Sequence, residues 1–132
     1  MSLPDDVTGS WNGTLASLLG SRFVEVTKDR VIAELAIREE LQTVGGALHG
    51  GALMAFADTV GAVATIANLA PGSTTSTLES KTNFLGAGRT GVVRAEATPI
   101  HVGRRTMVWQ TRITDESARL LSLTTQTQIV LR

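Results

Sequence analysis

The sequence has no cysteine, no tyrosine and only five tryptophan and phenylalanine residues. Without cysteine, the chain cannot form a disulfide, a zinc–thiolate site or a cysteine nucleophile. So few aromatic rings weigh against a platform on which single-stranded nucleic acid stacks. A basic excess is also missing, because 12 Lys and Arg residues balance 12 Asp and Glu residues. We therefore expect no nucleic-acid partner.

Targeting signals are lacking as well. Residues 1–10 contain two acids and no basic apolar run, so we expect neither a signal peptide nor a transit peptide. The two histidines lie far apart in the sequence, which argues against a His-rich metal site. A length of 132 residues suits one domain. We expect a single domain over residues 1–132 that is cytoplasmic and binds neither a metal nor a membrane.

Positive and negative charges are separated along the chain. Residues 1–79 hold four bases and nine acids, whereas residues 80–132 hold eight bases and three acids. Either the second half presents a positive surface to a small polyanion, or its arginines are ordinary solvent-facing strand residues.

The segment of residues 41–78 contains a single charged residue, Asp58. Within it, residues 50–69 are apolar or small on nearly every side of a helix about 27 Å long. Such a helix lies in a protein core or in a membrane, and its Ala, Gly and Thr content together with Asp58 argues against the membrane. We predict a central helix of about residues 51–68 that the rest of the chain covers.

The flanking segments predict a short helix and a sheet. Residues 11–19 fit a helix with Asn12 as N-cap and Gly20 as its end. Alternating polarity predicts a hairpin followed, after the central helix, by an antiparallel meander. On the last strand Leu121, Leu123, Ile129 and Leu131 share one face, and Ser122, Thr124, Gln126 and Gln128 share the other. The predicted strands cover residues 23–27, 31–38, 74–85, 92–101, 106–114 and 119–131. The fold class is therefore α+β, with the sheet curled around the helix.

Asp58 is an unusual residue for so apolar a helix. An isolated buried carboxylate is costly, so Asp58 is paired, neutral or part of a site, or it simply faces solvent at an edge or interface. Gly50 and Gly51 at the helix start leave N–H groups and the positive end of the dipole accessible to a polarised carbonyl. A carboxylate and an N–H donor are two of the parts needed for acyl transfer to water. Eight helical residues separate Asp58 from Gly50 by about 12 Å, so groups that act on one carbonyl come from two chains of a dimer.

Other catalytic arrangements find less support. His49 is an alternative catalyst, or it packs or caps at the helix start. The Gly-x-Ser-x-Gly motif of a Ser-His-Asp triad is absent. The pairs Gly45–Gly46 and Gly50–Gly51 lack the Lys and Ser or Thr of a phosphate-binding loop.

The stretch Leu-His-Gly-Gly-Ala-Leu-Met-Ala-Phe-Ala-Asp-Thr at residues 48–59 resembles the hotdog-fold acyl-CoA thioesterases, specifically the phenylacetic-acid-pathway (PaaI-like) group. That group carries an acid nine positions after the His of His-Gly-Gly, which is the spacing of His49 and Asp58. Residues 83–85, 101–106 and 114–120 are also similar to the family, so the resemblance covers the chain from about residue 20 to the end. It implies a hotdog fold: a long central helix wrapped by a curved antiparallel sheet of five to six strands.

The resemblance also implies roles for individual residues. Asp58 corresponds to the catalytic carboxylate, as general base or nucleophile, and Gly50 to the N–H donor that polarises the thioester carbonyl. Arg104 and Arg105, after Gly103, correspond to a corner that contacts the phosphates of coenzyme A. The further candidates are His49 and Thr43 for catalysis, and Gly51, Asn83, Phe84 and Arg89 for substrate binding. Coenzyme A is part of the substrate, so no cofactor is expected.

The chain departs from the family pattern at Thr43. Many members have Asn six positions before the His, where this chain has Thr43 with Gln42 beside it. Two function classes follow from the resemblance: a thioesterase that hydrolyses acyl- or aryl-CoA, and a non-catalytic acyl-CoA-binding module. The retained Asp58 favours the first. We expect a homodimer that pairs its sheets edge to edge, and a homotetramer because the outer sheet face carries residues such as Val92, Val108 and Leu120.

Overall fold

The structure of the protein is a computed structural model that describes residues 11–132. The expectation that no targeting peptide begins the chain concerns residues 1–10 and lies outside the described part. Two helices, one short 3₁₀ turn and six strands make up the fold. In chain order they are α1 (Leu15–Leu19), β1 (Arg22–Val26), β2 (Val31–Ala36), the 3₁₀ turn (Glu39–Leu41), α2 (Gly50–Ile66), β3 (Thr74–Phe84), β4 (Val92–Val102), β5 (Thr106–Thr114) and β6 (Leu120–Leu131).

The first helix is shorter than the sequence predicts. The N-cap is Thr14, whose hydroxyl oxygen accepts from the Ser17 N–H, and the prediction of Asn12 was wrong. Gly13 has a φ of 80°, a left-handed conformation that glycine adopts easily and that breaks any helix begun at Asn12. Gly20 ends the helix at a φ of 76°, as predicted.

All six strands form one antiparallel sheet in the order β1-β2-β4-β5-β6-β3. The α+β prediction is therefore confirmed, but the predicted meander is wrong for β3. This strand pairs with β6 at the far edge instead of lying beside β4. The segment of residues 85–91 crosses the end of the sheet, because Gly86 N–H donates to Leu121 O and Gly88 O accepts from Leu48 N–H.

The core lies between α2 and the concave face of the sheet. Trp109 of β5 is completely buried, and its indole N–H donates to Thr65 Oγ1 near the end of α2 over 2.9 Å. Apolar burial of this kind is the main favourable term in holding helix and sheet together. The buried apolar residues of α2 are Leu53, Phe56, Ala57, Val60, Val63 and Ala64. No helix in residues 11–132 has the length and apolar character needed to cross a membrane.

Strand β6 turns its polar side to the helix. Thr124, Gln126 and Gln128 are completely buried, whereas Leu123 and Ile129 on the opposite face are half-buried. A strand whose leucines share one face usually buries that apolar face. In β6 the polar face is the buried one, which is the reverse of the usual pattern. Each of these three side chains makes a hydrogen bond: Thr124 with Thr82, Gln126 with Asp58 and Gln128 with Thr77. This polar interior leads directly to Asp58.

Candidate active site

The start of α2 forms one half of the candidate site. His49 is the N-cap, and its Nδ1 accepts a 2.7 Å hydrogen bond from the Gly51 N–H. The N–H of Gly51, a predicted substrate-binding residue, thus donates within its own chain, and His49 has the capping role. The N–H of Gly50 precedes the first helical hydrogen bonds, and no described residue accepts from it. Gly50 therefore remains the available donor.

Phe84 lies against this helix start. A Cβ built on Gly50 would come within 3.2 Å of Cε1 and Cζ of the Phe84 ring, so the ring packs onto the glycine backbone. The structure therefore brings two predicted site residues together. Asn83 does not join them: its side chain accepts a 2.7 Å hydrogen bond from Lys81 Nζ, and its strand position alternates with that of Phe84.

Asp58 forms the second half of the site, two turns further along α2. It is half-buried, and its Oδ1 accepts from Thr77 Oγ1 over 2.6 Å and from Gln126 Nε2 over 3.1 Å. No described side chain donates to Oδ2. The carboxylate is thus paired through one oxygen and open through the other. Thr77 and Gln126 are the contacts that sequence reasoning missed, because the polar face of β6 gives no sign of being the inner one.

A cleft lies near the Asp58 end of the sheet, with a volume of about 800 Å³. Arg104 and Arg105 line it from the β4–β5 turn, and residues 129–132 line it from the end of β6. Both arginines are exposed. His101 and Arg132 also line this cleft, and no acidic side chain does. Three of the eight bases in residues 80–132 therefore lie at this cleft, and Arg132 adds a third guanidinium to the two that were predicted.

The remaining candidates lie at the opposite end. Thr43 is exposed, and its backbone N–H donates to Ala47 O within a tight loop before the helix. Gln42 is half-buried and pairs with Leu48. Arg89 donates from Nη1 to Gly45 O over 2.9 Å, which ties the crossing segment to that loop. Arg89 is thus separated from the cleft of Arg104 and Arg105 within one chain.

The two halves of the site face different ends of β3. Thr77, which holds Asp58, pairs with Gln128 near the cleft, whereas Phe84 pairs with Ser122 at the other end. The seven residue steps from Thr77 to Phe84 along the strand span about 23 Å. Within residues 11–132, no three acidic or His side chains come together as a metal site would require.

Known proteins resemble this chain in sequence and in fold. A family model described as the thioesterase superfamily matches residues 45–122, which include α2 and most of the sheet. The chain is 31% identical over 109 residues to a 1,4-dihydroxy-2-naphthoyl-CoA hydrolase of Listeria monocytogenes, covering 83% of this chain and 89% of that relative.

Two solved structures have a similar fold. A thioesterase from Haemophilus influenzae has a TM-score of 0.92 at 30% identity, covering 100% of this chain and 92% of that one. A hypothetical thioesterase of Streptococcus pneumoniae, solved with coenzyme A, has a TM-score of 0.77 at 25% identity, covering 83% and 84%.

Proposed function

This chain belongs to the thioesterase superfamily, and on that premise we propose that it hydrolyses a small acyl- or aryl-CoA thioester to the free acid and coenzyme A. The observation that carries the proposal is the state of Asp58. It is the only charged residue of a 38-residue apolar segment, and one of its oxygens has no described donor. A relative named as a CoA hydrolase and a neighbour solved with coenzyme A support the choice of thioester.

The chemistry assigned to Asp58 is the attack on the thioester carbonyl. As general base, Asp58 takes a proton from water, whose oxygen bonds to the carbonyl carbon. The tetrahedral intermediate then expels the CoA thiolate, which receives that proton. As nucleophile, Asp58 itself forms an anhydride with the acyl group, releases CoA, and is regenerated when water hydrolyses the anhydride. In both routes the Gly50 N–H stabilises the negative charge on the carbonyl oxygen.

The complete site requires two chains. β3 is a long edge strand, and an exposed edge presents unpaired backbone groups to another strand. Antiparallel pairing of two β3 strands about their middle places the Thr77 end of one beside the Phe84 end of the other. Asp58 of one protomer then meets Gly50 and Phe84 of its partner, which resolves the 12 Å separation within one helix. We extend the proposal to a homotetramer, because half-buried Leu123, Ile129 and Val108 share the outer sheet face.

The cleft of Arg104 and Arg105 receives the phosphates of coenzyme A. It lies on the Asp58 side of its own protomer, so the thioester end of the substrate reaches the carboxylate while the phosphates stay at the surface. Guanidinium groups bind phosphate through paired N–H donors, which suits this role. The proposal needs no cofactor, because coenzyme A is part of the substrate.

Turnover of a small panel of acyl- and aryl-CoA thioesters, with release of the free thiol as readout, tests the proposal. Asp58→Asn keeps the size of the side chain but removes the base, so kcat is expected to fall at least about 100-fold. KM and the melting temperature should change little. The control is Asp29→Asn, an exposed acid in the β1–β2 turn that should leave all three values unchanged. Binding of the thioesters without turnover by the wild type would instead identify an acyl-CoA-binding module.

A further inference from the structure

We propose that Thr77 and Gln126 are positioning residues that bind Oδ1 of Asp58 and thereby leave Oδ2 as the reactive oxygen. The inference rests on the catalytic role of Asp58 proposed above. It adds two residues from β3 and β6, outside the His-Gly-Gly segment and its acid.

Both donors bind the same carboxylate oxygen. Thr77 Oγ1 lies 2.6 Å and Gln126 Nε2 lies 3.1 Å from Oδ1. An ionised carboxylate only accepts hydrogen bonds, so the amide nitrogen of Gln126 is the end that faces Asp58. Gln126 is completely buried, and its Oε1 has no partner among the described residues. Its one side-chain hydrogen bond is the bond to Asp58.

A second layer of contacts directs the proton of Thr77. Gln128 Nε2 donates to Thr77 Oγ1 over 2.6 Å, and Gln128 Oε1 in turn accepts from Thr75 Oγ1 over 2.9 Å. Because the Thr77 oxygen already accepts from Gln128, its own hydroxyl proton points to Asp58. The hydrogen bonds therefore run in one direction, from Thr75 to Gln128, from Gln128 to Thr77 and from Thr77 to the carboxylate.

Gly61 makes room for this arrangement. A Cβ built on Gly61 would lie 2.3 Å from Gln126 Oε1 and 2.7 Å from Nε2. At such distances a side chain at this position would displace the amide of Gln126. Glycine in the interior of a helix costs stability relative to alanine, and here that cost accompanies the contact of Gln126 with Asp58.

The consequence is a carboxylate fixed in one orientation. Two hydrogen bonds occupy Oδ1 and restrain rotation of the side chain, whereas Oδ2 stays open to water or to a carbonyl carbon. Loss of one donor lets Asp58 turn away from the reacting geometry. Neither donor lines the cleft of Arg104 and Arg105, so substrate binding should be unaffected.

Paired substitutions test the inference in the thioester assay. Thr77→Val removes the hydroxyl at constant size, and Gln126→Met removes the amide at similar length. Each should lower kcat about 10- to 100-fold and leave KM within about 2-fold, as expected when a reacting group is misplaced. Thr77→Ser restores a hydroxyl and should recover most of kcat. The matched control is Thr124→Val, which removes a buried hydroxyl that bonds Thr82 Oγ1 over 2.8 Å.

Gly61→Ala is an independent probe, because it leaves Asp58, Thr77 and Gln126 themselves unsubstituted. The added methyl displaces Gln126, so kcat should fall about as far as in Gln126→Met, by about 10- to 100-fold. In the double variant Gly61→Ala/Gln126→Met the two losses of kcat should not multiply, because both substitutions remove the hydrogen bond from Gln126 to Asp58. Thermal unfolding of every variant shows that the fold is kept.

The outcomes separate this inference from the function on which it rests. Wild-type kcat in Thr77→Val and Gln126→Met, alongside an inactive Asp58→Asn, would overturn the positioning role and leave the thioesterase proposal intact. Equal losses in Thr77→Val, Thr77→Ser and Thr124→Val would overturn it too, since they would indicate general damage to the polar interior. Active Asp58→Asn would overturn this inference together with the catalytic role of Asp58, whereas a wild type that binds the thioesters without turnover would overturn the proposed hydrolysis itself.

Discussion

At the scale of single residues, His49 caps the start of α2. Its Nδ1 accepts from the Gly51 N–H, so the ring completes the first turn of α2. A nitrogen that accepts a hydrogen bond carries no proton, and the proton of a neutral ring is then on Nε2. His49 therefore stabilises the helix start from which Gly50 presents its N–H. In the proposed mechanism, His49 therefore influences the carbonyl only through that backbone group, without direct contact with the substrate.

Arg104 and Arg105 allow a test of the binding half of the site. Because phosphate contacts hold the ground state and the transition state alike, Arg104→Ala or Arg105→Ala should raise KM about 10-fold and lower kcat far less. The difference from wild type should shrink as salt is added, because salt screens exposed charges. Initial rates across a range of CoA-thioester and NaCl concentrations measure both effects.

The control for these arginine variants is Lys28→Ala, which removes an exposed positive charge in the β1–β2 turn. It should leave KM unchanged at every salt concentration. A similar rise in KM for Lys28→Ala would mean that overall charge attracts the substrate, and unchanged KM in both arginine variants would remove the cleft from the binding site.

Among the elements, α2 follows from the sequence most directly. Its apolar surface predicts a buried helix, and the structure places it from Gly50 to Ile66, three residues shorter than the pattern alone indicates. The spacing of Asp58 from the helix start also follows from sequence, because helical geometry is fixed at 1.5 Å per residue. Local periodicity thus predicts both the helix and the need for a second chain.

The place of β3 and the inner face of β6 do not follow from local pattern. β3 lies beside β6 because residues 85–91 cross the sheet through long-range hydrogen bonds, which no local signal reports. β6 buries Gln126 and Gln128 because their partners, Asp58 and Thr77, come from α2 and β3. The positioning of Asp58 was therefore visible only once three separated segments were brought together.

The β5–β6 turn provides a prediction at the scale of elements. The backbone N–H groups of Arg119 and Ser117 both donate to Asp115. These hydrogen bonds, and the one from Arg119 most of all, hold the pKa of Asp115 below its ordinary value. A carboxyl group whose pKa is lower in the folded state than in the unfolded state stabilises the fold at pH values above its unfolded-state pKa. This stabilisation is lost as the pH falls through the folded-state pKa. Asp115→Asn should therefore melt lower than wild type at neutral pH, with the difference shrinking on acidification below about pH 4.

Melting temperatures of wild type and Asp115→Asn between neutral and acidic pH check this expectation. Asp29→Asn, which changes an exposed acid in the β1–β2 turn, is again the matched control, and its melting temperature should run parallel to that of the wild type. A constant difference between Asp115→Asn and wild type at all pH values would mean that the turn does not depend on the charge of Asp115.

At the scale of the whole molecule, one chain contains two half-sites that face away from each other. Asp58 and the arginine cleft lie toward one end of β3, and Gly50 with Phe84 toward the other. In the proposed dimer, a two-fold axis through the β3 edge would join unlike halves twice and would thus give two equal sites.

Mixed dimers test this arrangement. Gly50 is the first residue of α2, a position where proline fits a helix, so Gly50→Pro removes the N–H with little cost to the backbone. Gly50→Ala is its control: it keeps the N–H and adds a Cβ at the same contact with Phe84. Gly50→Pro and Asp58→Asn should each be inactive alone, whereas Gly50→Ala should retain activity.

Co-assembly of the two inactive chains should then restore turnover. A dimer with one chain of each kind keeps an intact Asp58 on one protomer and an intact Gly50 on the other, and these meet in one of its two sites. Random assembly from equal amounts makes half of the dimers mixed, so activity should return to about a quarter of wild type. Thiol release from tagged, purified mixtures measures it. If each site were built within one chain, every chain in the mixture would lack one of the two groups and no activity would return. No recovery in verified mixed dimers would therefore contradict a site shared between protomers.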